Sequence, residues 1–190
     1  MKIVLASASP RRRELLCLIG LNPEIIIPDI DEVSRPDEAP EVFLERVAIA
    51  KGIEVYKKKF FRHLLISADT VVLLENSLIG KPLDRGDAFR MLRRLSGQRH
   101  EVLTGISLMC QGETTFAISR TAVYFKELAE KEIDFYLDHE TYLDKAGAYA
   151  IQGRAAIFVE KIEGCFFNVM GFPLSLFYRM VEERGLDLYE

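Results

Sequence analysis

Ile3-Val4-Leu5-Ala6-Ser7-Ala8-Ser9-Pro10-Arg11-Arg12-Arg13 decides how this chain begins to fold. The apolar run Ile3 to Ala6 is too short for a helix and suits a buried strand. A serine followed by proline then marks a helix start, with Ser9 as N-cap and Pro10 in the first turn, where its missing N–H is no loss. The helix carries Leu15, Leu16 and Ile19 on one side and stops near Gly20, and Ile25-Ile26-Ile27, bounded by Pro23 and Pro28, reads as a second strand. Strand, helix, strand is the opening of an α/β domain.

Downstream, Phe43, Val47 and Ala50 recur at helical spacing from Pro40 to about Lys58, with Lys57-Lys58-Lys59 at the end that favours cations. Leu64 to Ala68 is a buried strand reaching Asp69, and Val71 to Leu74 continues towards a turn at Glu75-Asn76-Ser77. Asp84 is placed to cap a helix with Ala88, Met91, Leu92 and Leu95 inward, closed by Gly97. Alternation over Glu101–Met109 and Thr114–Phe125 predicts a long hairpin around Gln111-Gly112-Glu113. Seven acidic residues and one lysine between Glu127 and Asp144 predict a helix whose charge serves solvation. Ile157-Phe158-Val159 and Phe166-Phe167-Asn168-Val169 read as further strands, and Pro173 opens a last helix that ends before Gly185.

The 190 residues, 49% hydrophobic and 28% charged, suit one globular domain over 1–190 with room for two lobes. A net charge of -4 argues against a general nucleic-acid partner, whose phosphates demand surplus Lys and Arg, so any polyanion site is local. No apolar run approaches the roughly 18 to 20 residues of a membrane span, and the opening is too short for a secretory signal. Cys17, Cys110 and Cys165 are odd in number, widely spaced and without a CxxC pair, which predicts a reducing cytoplasm and no disulfide framework or zinc site. His63, His100 and His139 are scattered and read as structural or exposed.

Three features point to chemistry. Arg11, Arg12 and Arg13 occupy a first helical turn, where the dipole disfavours cations; a phosphate chain would compensate them, and a solvated basic turn is the alternative. Asp69 follows an apolar strand, where an ionised carboxylate needs a cation or a metal, and strand ends in open α/β sheets face the ligand crevice; a turn cap is the alternative. Asp144 to Gly153 is rich in small residues that let backbone approach a ligand or another strand. GxxxxGK[ST] and GxGxxG are both absent after the first strand, which argues against a P-loop NTPase or a Rossmann dehydrogenase.

Together, Ser7-Ala8-Ser9-Pro10-Arg11-Arg12, Ala68-Asp69-Thr70, Gly80-Lys81-Pro82, Leu95-Ser96-Gly97, Asp144-Lys145-Ala146-Gly147-Ala148-Tyr149 and Ile151-Gln152-Gly153, with Gly171-Phe172-Pro173-Leu174 beyond them, resemble the Maf family over nearly the whole chain. The resemblance implies an elongated mixed β-sheet flanked by helices, two lobes around a cleft similar to the inosine triphosphatase architecture, and a homodimer. It implies a nucleoside triphosphate pyrophosphatase that releases a monophosphate and pyrophosphate. Asp69 would be the catalytic carboxylate, as base, metal ligand or both. Ser7, Arg11, Arg12, Lys51 and Lys81 would hold the phosphates, and Glu32 with Asp69 would engage Mg²⁺ or Mn²⁺. Arg11, Thr70 and Gln152 are similar to the branch acting on dTTP and UTP, while Ala150 departs from the glycine common in the family. The alternatives are a pyrophosphatase for non-canonical purine nucleotides and a nucleotide-binding regulator of cell division without turnover.

Overall fold

The computed structural model describes residues 2–56 and 63–188. Among these, seven strands join one mixed sheet in the order β2-β1-β3-β5-β6-β7, with β4 paired to β3. The strands are β1 (Ile3–Ala6), β2 (Glu24–Ile26), β3 (Leu64–Leu74), β4 (Ser77–Ile79), β5 (Arg99–Cys110), β6 (Glu113–Phe125) and β7 (Val159–Glu163), and the helices are α1 (Pro10–Leu18), α2 (Pro40–Tyr56), α3 (Arg85–Leu95), α4 (Glu130–His139), α5 (Phe166–Val169) and α6 (Leu174–Glu183). The predicted α/β class is the observed one. The lysine run 57–59, expected at the end of α2, lies outside the described residues.

The chain divides into two compact units, one formed by Met1–Asp69, Thr104–Ser119 and Gly171–Glu190, the other by Thr70–Leu103 and Arg120–Met170. In the first unit β1 pairs in parallel with β2 and with β3, Leu5 facing Ile25 on one side and Ile66 on the other. Parallel pairs need a crossover, and the crossovers are α1 and α2, as the opening motif requires. Leu5, Leu16, Leu44 and Leu65 are fully buried there. Arg184, after α6, donates to the carbonyls of Leu108 and Cys110 at 3.1 and 3.2 Å and so fastens the C-terminal helix to β5.

In the second unit β3 turns tightly into β4 through Glu75 and Asn76, both with positive φ (50° and 64°), a combination that matches a two-residue hairpin turn. Asp84 caps α3 as predicted, accepting from the Asp87 N–H at 2.7 Å. The core of this unit gathers Val72, Leu92, Leu95, Val123, Phe125 and Phe158.

Three expectations are corrected. Asp69 is not a strand end: the expected strand over Val71–Leu74 is one with that over Leu64–Ala68, because the β-branched Thr70-Val71-Val72 carry it through and β4 supplies a partner for its second half. Phe166–Val169 is a helical turn and not a strand. Its buried residue is Asn168, which donates to the Val102 carbonyl and to Thr121 Oγ1, both at 2.9 Å, while Phe166 is exposed, so the apolar run carried the wrong pattern. Ile157 and Phe158 belong to a 3₁₀ turn over Arg154–Phe158, and only Val159 enters β7. The acidic helix α4 also does more than solvate: Arg85 bridges Asp134 and Asp138 at 2.9 and 2.8 Å, tying α3 to α4.

Candidate functional site

Strand alternation places Ser67 and Asp69 on one face of β3 and Thr70 on the other. On that face the Ser67 hydroxyl donates to the Ala48 carbonyl of α2 at 2.7 Å. Lys51 lies three residues further along the same helix, and its Nζ donates to Asp69 Oδ1 at 2.7 Å. Gly52 allows this approach, since a Cβ there would lie 2.7 Å from Met109 Cε and 3.0 Å from Ser67 Oγ. Glu32, from the segment after β2, reaches the same ammonium with Oε1 at 2.8 Å. One buried lysine therefore sits against two carboxylates, Asp69 buried and Glu32 exposed.

The N-terminus of α1 belongs to the same unit. Ser9 holds the N-cap position, but its side chain makes no capping bond; the Ser9 N–H instead donates to Ser7 Oγ at 3.1 Å. Arg12 is buried, and donates from Nε to the Gly171 carbonyl at 2.9 Å and from one terminal nitrogen to the Ala68 carbonyl at 2.7 Å and to Ser7 Oγ at 3.3 Å. Burial lowers its pKa, against the attraction of Asp69, while Arg11 lowers it further and Glu32 raises it. The compensation expected for the basic turn thus comes, for Arg12, from carbonyls and carboxylates of the protein. Arg11 is half-buried and Arg13 exposed.

Thr70, Lys81 and Gln152 belong to the second unit, Thr70 half-buried and the other two exposed. There the Gly147 N–H donates to the Gly80 carbonyl at 3.0 Å, so the segments Gly80-Lys81-Pro82 and Asp144–Tyr149 meet through their backbones. Gly147 has a φ of 70°, and a Cβ on it would lie 3.2 Å from Val72 Cγ2, so both conformation and space favour glycine. Ser96 Oγ accepts from the Leu128 N–H at 2.7 Å, which gives the Leu95-Ser96-Gly97 motif a part in closing α3 against the segment before α4.

The burial of Lys145 escaped the sequence, whereas His100 is structural, one of the two outcomes expected for the histidines. Lys145 is buried and donates to Asp144 Oδ1 at 2.6 Å and Thr141 Oγ1 at 3.2 Å. His100, also buried, shares a 2.8 Å hydrogen bond with the Tyr149 hydroxyl, and both rings pack edge-on to Phe125. Burial holds His100 down at about 4 and pushes the Tyr149 phenol well up.

Among the described residues no group of three or more His, Cys, Asp and Glu is gathered. Glu32 and Asp69 nevertheless bring two hard oxygens to one point, marked by Lys51 Nζ. That set fits Mg²⁺ or Mn²⁺, which take one or two carboxylates and complete their shell with water and phosphate oxygens, and does not fit zinc.

A family model described as Maf-like protein matches residues 2–184. The chain belongs to the Maf family. Among relatives of this Maf-family chain, a protein of Thermotoga petrophila named dTTP/UTP pyrophosphatase is 44% identical over 97% of this chain and 90% of its own length. A protein of the same name from Syntrophomonas wolfei is 42% identical over 97% and 98%. The fold is similar to that of a HAM1 protein from Coxiella burnetii, with a TM-score of 0.56 and 18% identity over 96% of this chain and 99% of that one, a likeness of fold alone.

Proposed function

We propose that this chain hydrolyses dTTP and UTP to the monophosphate and pyrophosphate. Family membership and the names of relatives at 42 and 44% identity over nearly the full length support the substrate class. The observation that carries the chemistry is the buried Lys51–Asp69 contact with Glu32 on the same ammonium. A buried carboxylate paired with a lysine, beside a serine and arginine-bearing helix N-terminus, suits a reaction in which water is deprotonated next to a bound polyphosphate.

In this reading Asp69 orients the attacking water and accepts its proton. Ser7 Oγ already accepts from Ser9 and Arg12, which directs its own proton to a phosphate oxygen. Arg11 and Lys81 bind phosphate directly, while Arg12 adds charge and holds the backbone beside Asp69. Arg11, Thr70 and Gln152 set the pyrimidine preference. A triphosphate carries more negative charge than Arg11 and Lys81 together offset, which favours a metal. Glu32 and Asp69 would hold Mg²⁺ or Mn²⁺, which would stabilise charge developing on the phosphate oxygens.

The three cysteines are free, and among the described residues no helix is long and apolar enough to cross a membrane, in keeping with a proposed cytoplasmic setting. A homodimer is proposed from the family resemblance alone, and sedimentation tests it. The deciding experiment is pyrophosphate release from a panel of dTTP, UTP, CTP, dGTP, ITP and 7-methyl-GTP, with and without Mn²⁺. Preference for dTTP and UTP with pyrophosphate as first product supports the proposal; preference for ITP, or orthophosphate as first product, overturns it.

A further inference from the structure

We infer that Lys51 is the resident counter-ion of the Glu32–Asp69 pair and competes with the divalent metal for it, so that the metal loads only together with nucleotide. The inference rests on the proposal that these two carboxylates hold the metal. Lys51 Nζ lies 2.8 Å from Glu32 Oε1 and 2.7 Å from Asp69 Oδ1, the same oxygens the metal would need. Lys51 is only 4% exposed, and its position is fixed from outside the cluster, by the Ser67–Ala48 bond and by the close approach at Gly52. An ammonium held there satisfies Asp69 in the absence of any ligand and opposes a second cation on the same oxygens by like-charge repulsion. A bound polyphosphate changes the balance in two ways. Its oxygens offer Lys51 a new anionic partner, and they complete the metal's coordination. Lys51 would then pass from carboxylate to phosphate as the metal arrives, and apo protein would be protected from stray divalent cations.

The test is Mn²⁺ binding to full-length protein without turnover, read by the loss of the free Mn²⁺ spin-resonance signal. Wild type should bind Mn²⁺ alone weakly and at least about tenfold more tightly with α,β-imido-dUTP present. Lys51→Met should bind Mn²⁺ alone at least about tenfold more tightly than wild type, and Lys51→Met with Asp69→Asn should lose that gain. Because Lys51→Met leaves Asp69 without its cation, the variant is also melted with Mn²⁺ and with chelator. Stabilisation of the variant by Mn²⁺, with little effect on wild type, supports the inference even if the metal-free variant is unfolded. Equal Mn²⁺ affinity in wild type and variant, or a variant that is unfolded with and without Mn²⁺, overturns it. Failure of the pyrophosphatase proposal would be seen separately, as no pyrophosphate from dTTP or UTP.

Discussion

His100 Nε2 and the Tyr149 hydroxyl lie 2.8 Å apart in a buried aromatic cluster, which couples a titratable ring in β5 to the segment that carries Gln152. Burial depresses the folded pKa of His100 to about 4 from 6.5, so between those values the unfolded chain binds a proton that the folded chain refuses. Stability from this group is therefore intact above pH 6.5 and falls as pH drops towards 4, by roughly 3 kcal/mol over the window. His100→Gln, which retains a group able to bond Tyr149, should flatten the decline of melting temperature over that range. Parallel declines in wild type and variant would assign the pH response to other groups.

Arg12 braces the backbone at Ala68 and Gly171 and is proposed to serve phosphate as well, and the two roles give different outcomes in Arg12→Lys. A lysine ammonium lacks the guanidinium fork that serves Ala68 and Gly171 together, leaving a buried carbonyl without its donor. Thermal melting should show a loss of about 1 to 3 kcal/mol, which for a domain of this size is several degrees. A raised KM with an unchanged melting temperature would mean that Arg12 acts on phosphate alone.

Local patterning made the α/β opening, the Asp84 cap and the long hairpin legible, because each rests on residues within a few positions of one another. What it missed depends on distant partners. Arg12 bonds carbonyls 56 and 159 positions away, and no local feature of Arg11-Arg12-Arg13 separates the buried arginine from its neighbours. Phe166–Val169 reads as a strand until Asn168 is seen to be the buried residue, held by Val102 and Thr121. Asp69 stands inside a strand and not at its end, and the cation that a buried carboxylate calls for is Lys51, eighteen positions earlier in the chain.

Gln152 is exposed in the turn after Ile151, where its carboxamide can donate to O4 and accept from N3–H of uracil or thymine. Gln152→Glu replaces the donor with an acceptor and sets a carboxylate against the O4 lone pairs. Pyrimidine turnover should fall about ten- to a hundredfold, and the ratio of UTP to GTP hydrolysis should fall with it, since a carboxylate accepts well from N1–H and the amino group of guanine. An unchanged UTP to GTP ratio would leave Gln152 out of base selection.

Asp69→Asn isolates charge from shape. The asparagine carbonyl oxygen can accept the same bond from Lys51, and Lys51 keeps its ion pair with Glu32, so the contact between α2 and β3 has no steric reason to open. The Ser67–Ala48 bond, two residues away, is untouched and continues to fix the helix. What disappears is the negative charge, and with it the capacity to take a proton from water or to bind a divalent cation. Pyrophosphate release from dTTP should fall at least about a hundredfold, mainly in kcat, with circular dichroism unchanged. Glu32→Gln, which removes the more exposed carboxylate, separates the two roles: a rate restored by raised Mn²⁺ would make Glu32 a metal ligand without acid-base duty. Near-normal turnover in folded Asp69→Asn would remove Asp69 from the chemistry and transfer the proton-accepting role to Glu32, whose glutamine variant would then be inactive at any metal concentration.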